Sequence, residues 1–258
     1  MGFSRLSAAV LAALAFVLGC DGPALAGPLE DAFLAGQEKN CPGCALAGAD
    51  LRRRDLTGAN LKGATLTAAN LFRADLSGAD LSEADLAEAD LSNSTLRRTN
   101  FSGANLSDAN FYVADATGAD FRGAYGNRVV MIRARLQTAN LEKAKFIDCD
   151  LRFALLSGAK LAGVYLGGCR LDEANLRNLD MRGANLEVAD MQRANLRGAR
   201  LAGAVLRQAD LFGADLTGAD LTGADFGAAR LQSAVLADAT LDGTKFTGAI
   251  MPGGEIAP

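Results

Sequence analysis

The 258 residues include no histidine and no tryptophan. Without histidine the chain lacks the side chain most used as a general base near neutral pH, and the commonest metal ligand. No Ser/His/Asp or Cys/His constellation is available, and no phosphate-cradling loop motif occurs. The Gly-Gly-x-Gly-x-Asp motif of calcium-binding β-rolls is missing as well. These absences exclude the familiar catalytic designs, so neither an enzyme nor a bound cofactor or metal is expected. Charge of one sign is also scarce: 26 basic against 30 acidic residues leave a net charge of −4. That gives no strong pull toward nucleic acid. The longest apolar run, Leu6 to Leu18, has 13 residues, too few to span a bilayer.

That run follows a lone Arg5 and sits where the core of a signal peptide belongs. Two cleavage readings fit it. Ala24-Leu25-Ala26 is a small-residue site that would start the mature chain at Gly27. Val17-Leu18-Gly19-Cys20 resembles a bacterial lipobox and would leave a lipid-modified, membrane-anchored Cys20. The first reading makes residues 1–26 the signal peptide, and either way the protein is expected to be exported, periplasmic or in the cell envelope.

Residues 27–45 read as an N-terminal cap. Pro28 with Glu30 and Asp31 opens a short helix, with Leu29 and Phe33 facing the segment that begins at Leu46. Cys41-Pro42-Gly43-Cys44 is either a thiol–disulfide redox pair or a structural turn closed as a disulfide after export. No βαβ pattern surrounds it, which favours the turn. A zinc site would need two further ligands nearby, and there are none.

From Leu46 to Met251 every fifth residue is large and apolar, in one unbroken register. Of these 42 positions only Ala116 and Gly126 are not Leu, Phe or Met. Two residues earlier stands Ala in 32 cases, and one residue earlier Asp or Asn in 24. A period of five fits neither a helix nor a flat strand. It fits a chain that runs straight for about three residues, turns and repeats. In such a side, residues i and i−2 point the same way, so Leu and Ala face inward. Asp and Asn bond their own backbone in turns, and Gly gives the corner freedom.

These units, Ala-(Asp/Asn)-Leu-X-X as in Ala79-Asp80-Leu81-Ser82-Glu83, resemble those of the pentapeptide-repeat family across residues 46–251. The resemblance implies an all-β fold: a single-domain, right-handed, quadrilateral parallel β-helix with four units per coil, followed by a tail at 252–258. Residues 20 apart would then stack. Ala116 and Gly126 would oppose each other in a layer filled from the other two sides by Phe111 and Phe121. Cys149 and Cys169, both in the i−2 slot, would lie one above the other, as a disulfide or as two buried thiols.

Outward slots depart from the pattern in the middle of the chain. Tyr112, Val113, Val130, Ile132 and Phe153 belong to units that stack under a 20-residue coil, with Leu155 starting the next side. Residues 127–170 also hold eight basic side chains, among them Arg128, Arg133 and Arg152, against three acidic ones. An apolar strip with basic edges suggests a surface for a protein partner or for anionic lipid; scattered exposed apolar residues are the plainer explanation. The expected role is a non-catalytic structural or interaction solenoid of the bacterial envelope, monomeric or weakly self-associating end to end. The family resemblance implies an alternative, in which an acidic rod mimics DNA and binds a topoisomerase. The export segment, the basic middle and the lack of a helix after Met251 oppose it, so nucleic acid is not expected as a partner. A redox role for Cys41 and Cys44 is a third alternative.

Overall fold

The structure, a computed structural model, describes residues 27–258. The expected signal segment, its two cleavage readings and Cys20 lie outside the described residues. From Ala45↔Thr65 to Arg230↔Ile250, parallel bridges join residues 20 apart. Four five-residue units therefore make each coil. We number the sides 1 to 4 by the units centred on residues 46, 51, 56 and 61. Side 1 thus carries Gly126 and Phe146, and side 2 carries Phe111, Met131 and Leu151.

Each unit obeys the same local logic. The residues at i−2 and i face the axis and are buried along almost the whole rod. The residues at i+1 and i+2 make the corner, and i+2 takes a left-handed φ. The N–H of residue i+3 donates to the carbonyl of i, as from Ala59 to Leu56 at 3.0 Å, which together describes a type II turn. Glycine is the residue expected to supply this conformation, yet Glu83 (φ 59°) and Arg98 (φ 56°) adopt it too. Ladder bonds on both sides of the corner hold it there, offsetting the local cost.

The Asp or Asn at i−1 has a definite task. Its Oδ1 accepts the N–H of residue i+1, from Ser82 to Asp80 at 3.0 Å and from Tyr112 to Asn110 at 3.0 Å. Where Asn follows Asp up a side, the Asn amide donates to the carboxylate below, as from Asn105 to Asp85 at 2.9 Å. Polar residues in the inward Ala slot are also satisfied. Ser94 donates to the Leu91 carbonyl at 2.5 Å and Thr99 to the Leu76 carbonyl at 2.7 Å.

The Phe layer is packed as its composition implied. Phe121 stacks on Phe101 at 5.0 Å and meets Phe111 edge-on at 6.0 Å, while Ala116 is fully buried on the side between Phe111 and Phe121. Two large and two small residues thus conserve the volume of the layer. Gly126 draws its side inward: a Cβ there would stand 2.7 Å from the Leu106 carbonyl carbon and 2.8 Å from the Ser107 nitrogen. At this unit and the one above it the corner opens. Strands β1 (Tyr125–Asn127) and β2 (Lys145–Ile147) pair in parallel through the position where other units already turn.

The solenoid begins one unit before Leu46. Cys41 and Gly43 donate to the Asn60 and Lys62 carbonyls, and Cys44 closes the turn onto Cys41. Ahead of it runs a short helix, α1 (Pro28–Leu34). Phe33 is fully buried, with the Arg54 guanidinium 4.8 Å from its ring centroid. Leu29, one helical turn earlier on the same face, does not join it; it is 42% exposed. At the far end Ile256 pairs antiparallel with Ile250; across that return the Met251 N–H donates to the Glu255 carbonyl and the Ala257 N–H to the Ala249 carbonyl. Leu241, on side 4, stays 42% exposed.

Candidate functional site

The apolar residues of units 111, 131 and 151 gather on an edge of the rod, not on a flat face. Their i+1 and i+2 positions form the corner between sides 2 and 3. Tyr112, Ile132 and Arg152 stack in one column, and Val113, Arg133 and Phe153 in the next. Tyr112, Val113 and Phe153 are exposed, Phe153 to 52%; Ile132 is half-buried between its neighbours. The Arg133 guanidinium lies 5.8 Å from the Phe153 ring centroid, within reach of a cation–π contact. Val130 lies on side 2, between Asn110 and Asp150 in the ladder, and Leu155 on side 3 above Arg135. Both flank the edge.

Arg128 does not belong to this surface. It stands on the corner between sides 1 and 2, where Asp108, one coil below, takes its guanidinium in two hydrogen bonds of 2.7 and 2.6 Å. Arg152 is also engaged: it grips Asp150 through two nitrogens. Burial pushes the Asp150 carboxyl up, and the Arg152 hydrogen bonds outweigh this and hold it below the ordinary range. Arg135 and Arg170 lie near Asp115 and Asp150 at 4.0 and 3.7 Å. Half of the eight basic side chains between 127 and 170 are therefore paired. Arg133, Lys143, Lys145 and Lys160 make no ion pair within 4 Å among the described residues.

Two of those lysines border a second feature, which the repeat spacing does not report. An open groove of about 650 Å³ crosses side 1 at the level of Gly126, lined by Tyr125, Asn127, Lys143, Lys145 and Ile147. Tyr125 is 49% and Ile147 41% exposed. The sequence does carry a signal for it. Between 125 and 170 eight of the ten Asp/Asn slots hold other residues, namely Tyr125, Val130, Arg135, Lys145, Leu155, Lys160, Tyr165 and Arg170. Each of these positions gives up the side-chain bond to its own turn.

Both cysteine pairs are within bonding distance. Cys41 and Cys44 are joined across the first corner, with sulfurs 2.04 Å apart and Cα atoms 5.4 Å apart. Cys41 is fully buried and Cys44 nearly so. Cys149 and Cys169 join successive coils inside the tube, with Cα atoms 4.5 Å apart, and both are fully buried. The Cys149 N–H donates to the Cys169 sulfur at 3.1 Å, in place of the usual turn bond. Among the described residues no group of three or more Cys, Asp or Glu side chains comes together as a metal-ligand set. Among them, too, no helix is long and apolar enough to cross a membrane.

A family profile for pentapeptide repeats matches in eight copies over residues 40–73, 74–112, 109–148, 149–187, 189–227 and 215–253. HetL from the cyanobacterium Nostoc, described as a pentapeptide repeat protein involved in heterocyst differentiation regulation, is 33% identical over 88% of this chain and 97% of its own, with a TM-score of 0.47. QnrB1, a plasmid-mediated fluoroquinolone resistance protein, is 25% identical over 80% of this chain and 91% of its own, with a TM-score of 0.36. A pentapeptide repeat protein of the Arabidopsis thaliana thylakoid lumen is 33% identical over 40% and 73%, with a TM-score of 0.24. No curated protein sequence matches the chain.

Proposed function

Since the chain belongs to the pentapeptide repeat family, we propose that it is a non-catalytic interaction rod of the bacterial cell envelope, a right-handed four-sided coil that binds a protein partner through the edge between sides 2 and 3. The observation that carries this reading is the cluster of Tyr112, Val113, Ile132 and Phe153 in the two columns of that edge, flanked by Val130 and Leu155. Corner positions elsewhere are mostly small or charged. An apolar edge on an otherwise polar rod is the usual mark of a contact surface. Arg133 over Phe153 supplies a large, rigid anchor of the kind that dominates interfaces. The apolar segment Leu6 to Leu18 and the two cleavage readings after it support export, with membrane anchoring if Cys20 carries lipid. The two cysteine pairs suit an oxidising compartment.

The test replaces Tyr112, Ile132 and Phe153 together with Ser. Co-purification of the envelope partner should fall by roughly tenfold or more, since hot-spot residues each contribute about 2 kcal/mol, while the thermal midpoint stays within a few degrees. Unchanged partners would overturn the docking edge. Fractionation tests the compartment separately: a cytoplasmic pool would overturn export and restore the DNA-mimicking alternative.

A further inference from the structure

The groove across side 1 is a consequence of the core. Phe111 and Phe121 fill their layer so fully that the residue opposite Ala116 must be glycine. The backbone at Gly126 then closes onto Leu106 and Ser107, and the surface of side 1 sinks at that level. The neighbours of the dent are arranged by chemistry. Tyr125 and Lys145 are successive rungs of one ladder, and Lys143 stands on the adjoining corner. Ile147 and Asn127 stand on the opposite corner, which β1 and β2 hold open. Tyr165, one rung above Lys145, folds its ring against Gly167; a side chain there would collide with it at 2.7 Å.

Charge is divided across the groove. Lys143 and Lys145 have no carboxylate within 4 Å among the described residues. On the far corner Asp108 neutralises Arg128. Asp120 is likewise occupied by Arg122 at 2.6 Å. The result is a concave strip with two free ammonium groups on one wall and Tyr125 and Ile147 on the floor and opposite wall.

We propose that this groove binds an extended acidic segment of a partner protein, with its carboxylates on Lys143 and Lys145 and one apolar side chain between Tyr125 and Ile147. Charge complementarity sets the sign of the ligand. The concavity excludes a flat membrane surface. Two lysines beside Asp108, Asp120 and Asp148 are too few for nucleic acid, whose binding rests on many phosphate contacts. The inference is independent of the edge carrying Ile132 and Phe153, because side 2 lies between the two corners.

The experiment pans a phage-displayed random dodecapeptide library against the oxidised, folded protein and measures the enriched peptides by fluorescence anisotropy. Enriched peptides should carry two or more carboxylates beside an aromatic or branched side chain. Their binding should weaken by about tenfold or more in Lys143→Ser/Lys145→Ser, weaken in Ile147→Ser, and fall with added salt. It should be unchanged in Ile132→Ser/Phe153→Ser. Lys143→Gln/Lys145→Gln repeats the measurement should the Ser variant melt early. No enrichment, enrichment of peptides without acidic residues, binding that survives loss of both lysines, or binding lost only in Ile132→Ser/Phe153→Ser would each overturn the proposal, as would capture of anionic vesicles or glycans by the same groove in its place.

Discussion

A single missing side chain, that of Gly126, decides the packing of its coil and the shape of its surface. The backbone atoms of Leu106 and Ser107 stand under 3 Å from where a Cβ would be, and backbone cannot yield as a side-chain tip can. Gly126→Ala should therefore destabilise the rod by about 1–3 kcal/mol, the usual cost of overpacking, and lower the guanidinium midpoint. An unchanged midpoint would mean that the layer has slack, contradicting the close contact of Phe101, Phe111 and Phe121. The same scale explains what the repeat's polar letter does. Asp and Asn at i−1 bond the amide two residues on, and Tyr125 or Lys145 in that slot leaves the amide without this partner. One such bond contributes about 0.5–1.5 kcal/mol. Their clustering between 125 and 170 marks residues kept for something other than the stability of their own unit.

The element of this fold is the five-residue unit, and most of it is legible in the sequence. The period gives inward Leu and Ala, outward Asp and Asn, and, through the family resemblance, stacking at 20. Three local features are not readable from spacing. Cys41 to Cys44 is a full unit because turn bonding, not the identity of the i residue, defines one. Arg128 falls near Ile132 in the chain, although the corner after Gly126 places it beside Asp108. The groove is hidden because its cause is a close approach between coils, which linear spacing does not report. The Cys149–Cys169 link is also an inter-coil feature. Its loop of 20 residues predicts stabilisation of roughly 3 kcal/mol from the restricted unfolded chain. Protein isolated without reductant should show the mass of two disulfides and no free thiol at these four positions. Prolonged reduction under mild denaturant should lower the thermal midpoint, and Cys149→Ala/Cys169→Ala should reproduce the lower value and be insensitive to reductant. Full thiol reactivity in the unfolded, never-reduced protein would overturn the link.

Along the whole rod, charge acts as a distributed set of coil-to-coil and within-unit pairs. Arg122, Arg182 and Arg207 lower the carboxyls of Asp120, Asp180 and Asp225 through direct hydrogen bonds. Arg52 brings that of Asp50 down to about 2. Water screens these exposed pairs, so each contributes little, but they recur on every side and at both ends. The direction of their joint effect is set by linkage. A carboxyl whose folded value lies below its unfolded value of about 3.9 stabilises the fold fully above that unfolded value. The contribution is lost as pH falls through the folded value, when the native carboxylate must also take up a proton. The thermal midpoint should therefore be nearly flat from pH 7 to about pH 5 and fall steadily below about pH 4. Added salt should shrink the fall because it screens the pairs before they are protonated. Circular dichroism melts across that range check it. Because each coil leans on its neighbours, and the pairs run from Asp50 to Asp225, the transition should weaken as one unit instead of shedding its ends first. A midpoint unchanged down to pH 2 would show that the Leu and Ala interior alone sets the stability, with the arginine–aspartate pairs contributing nothing measurable.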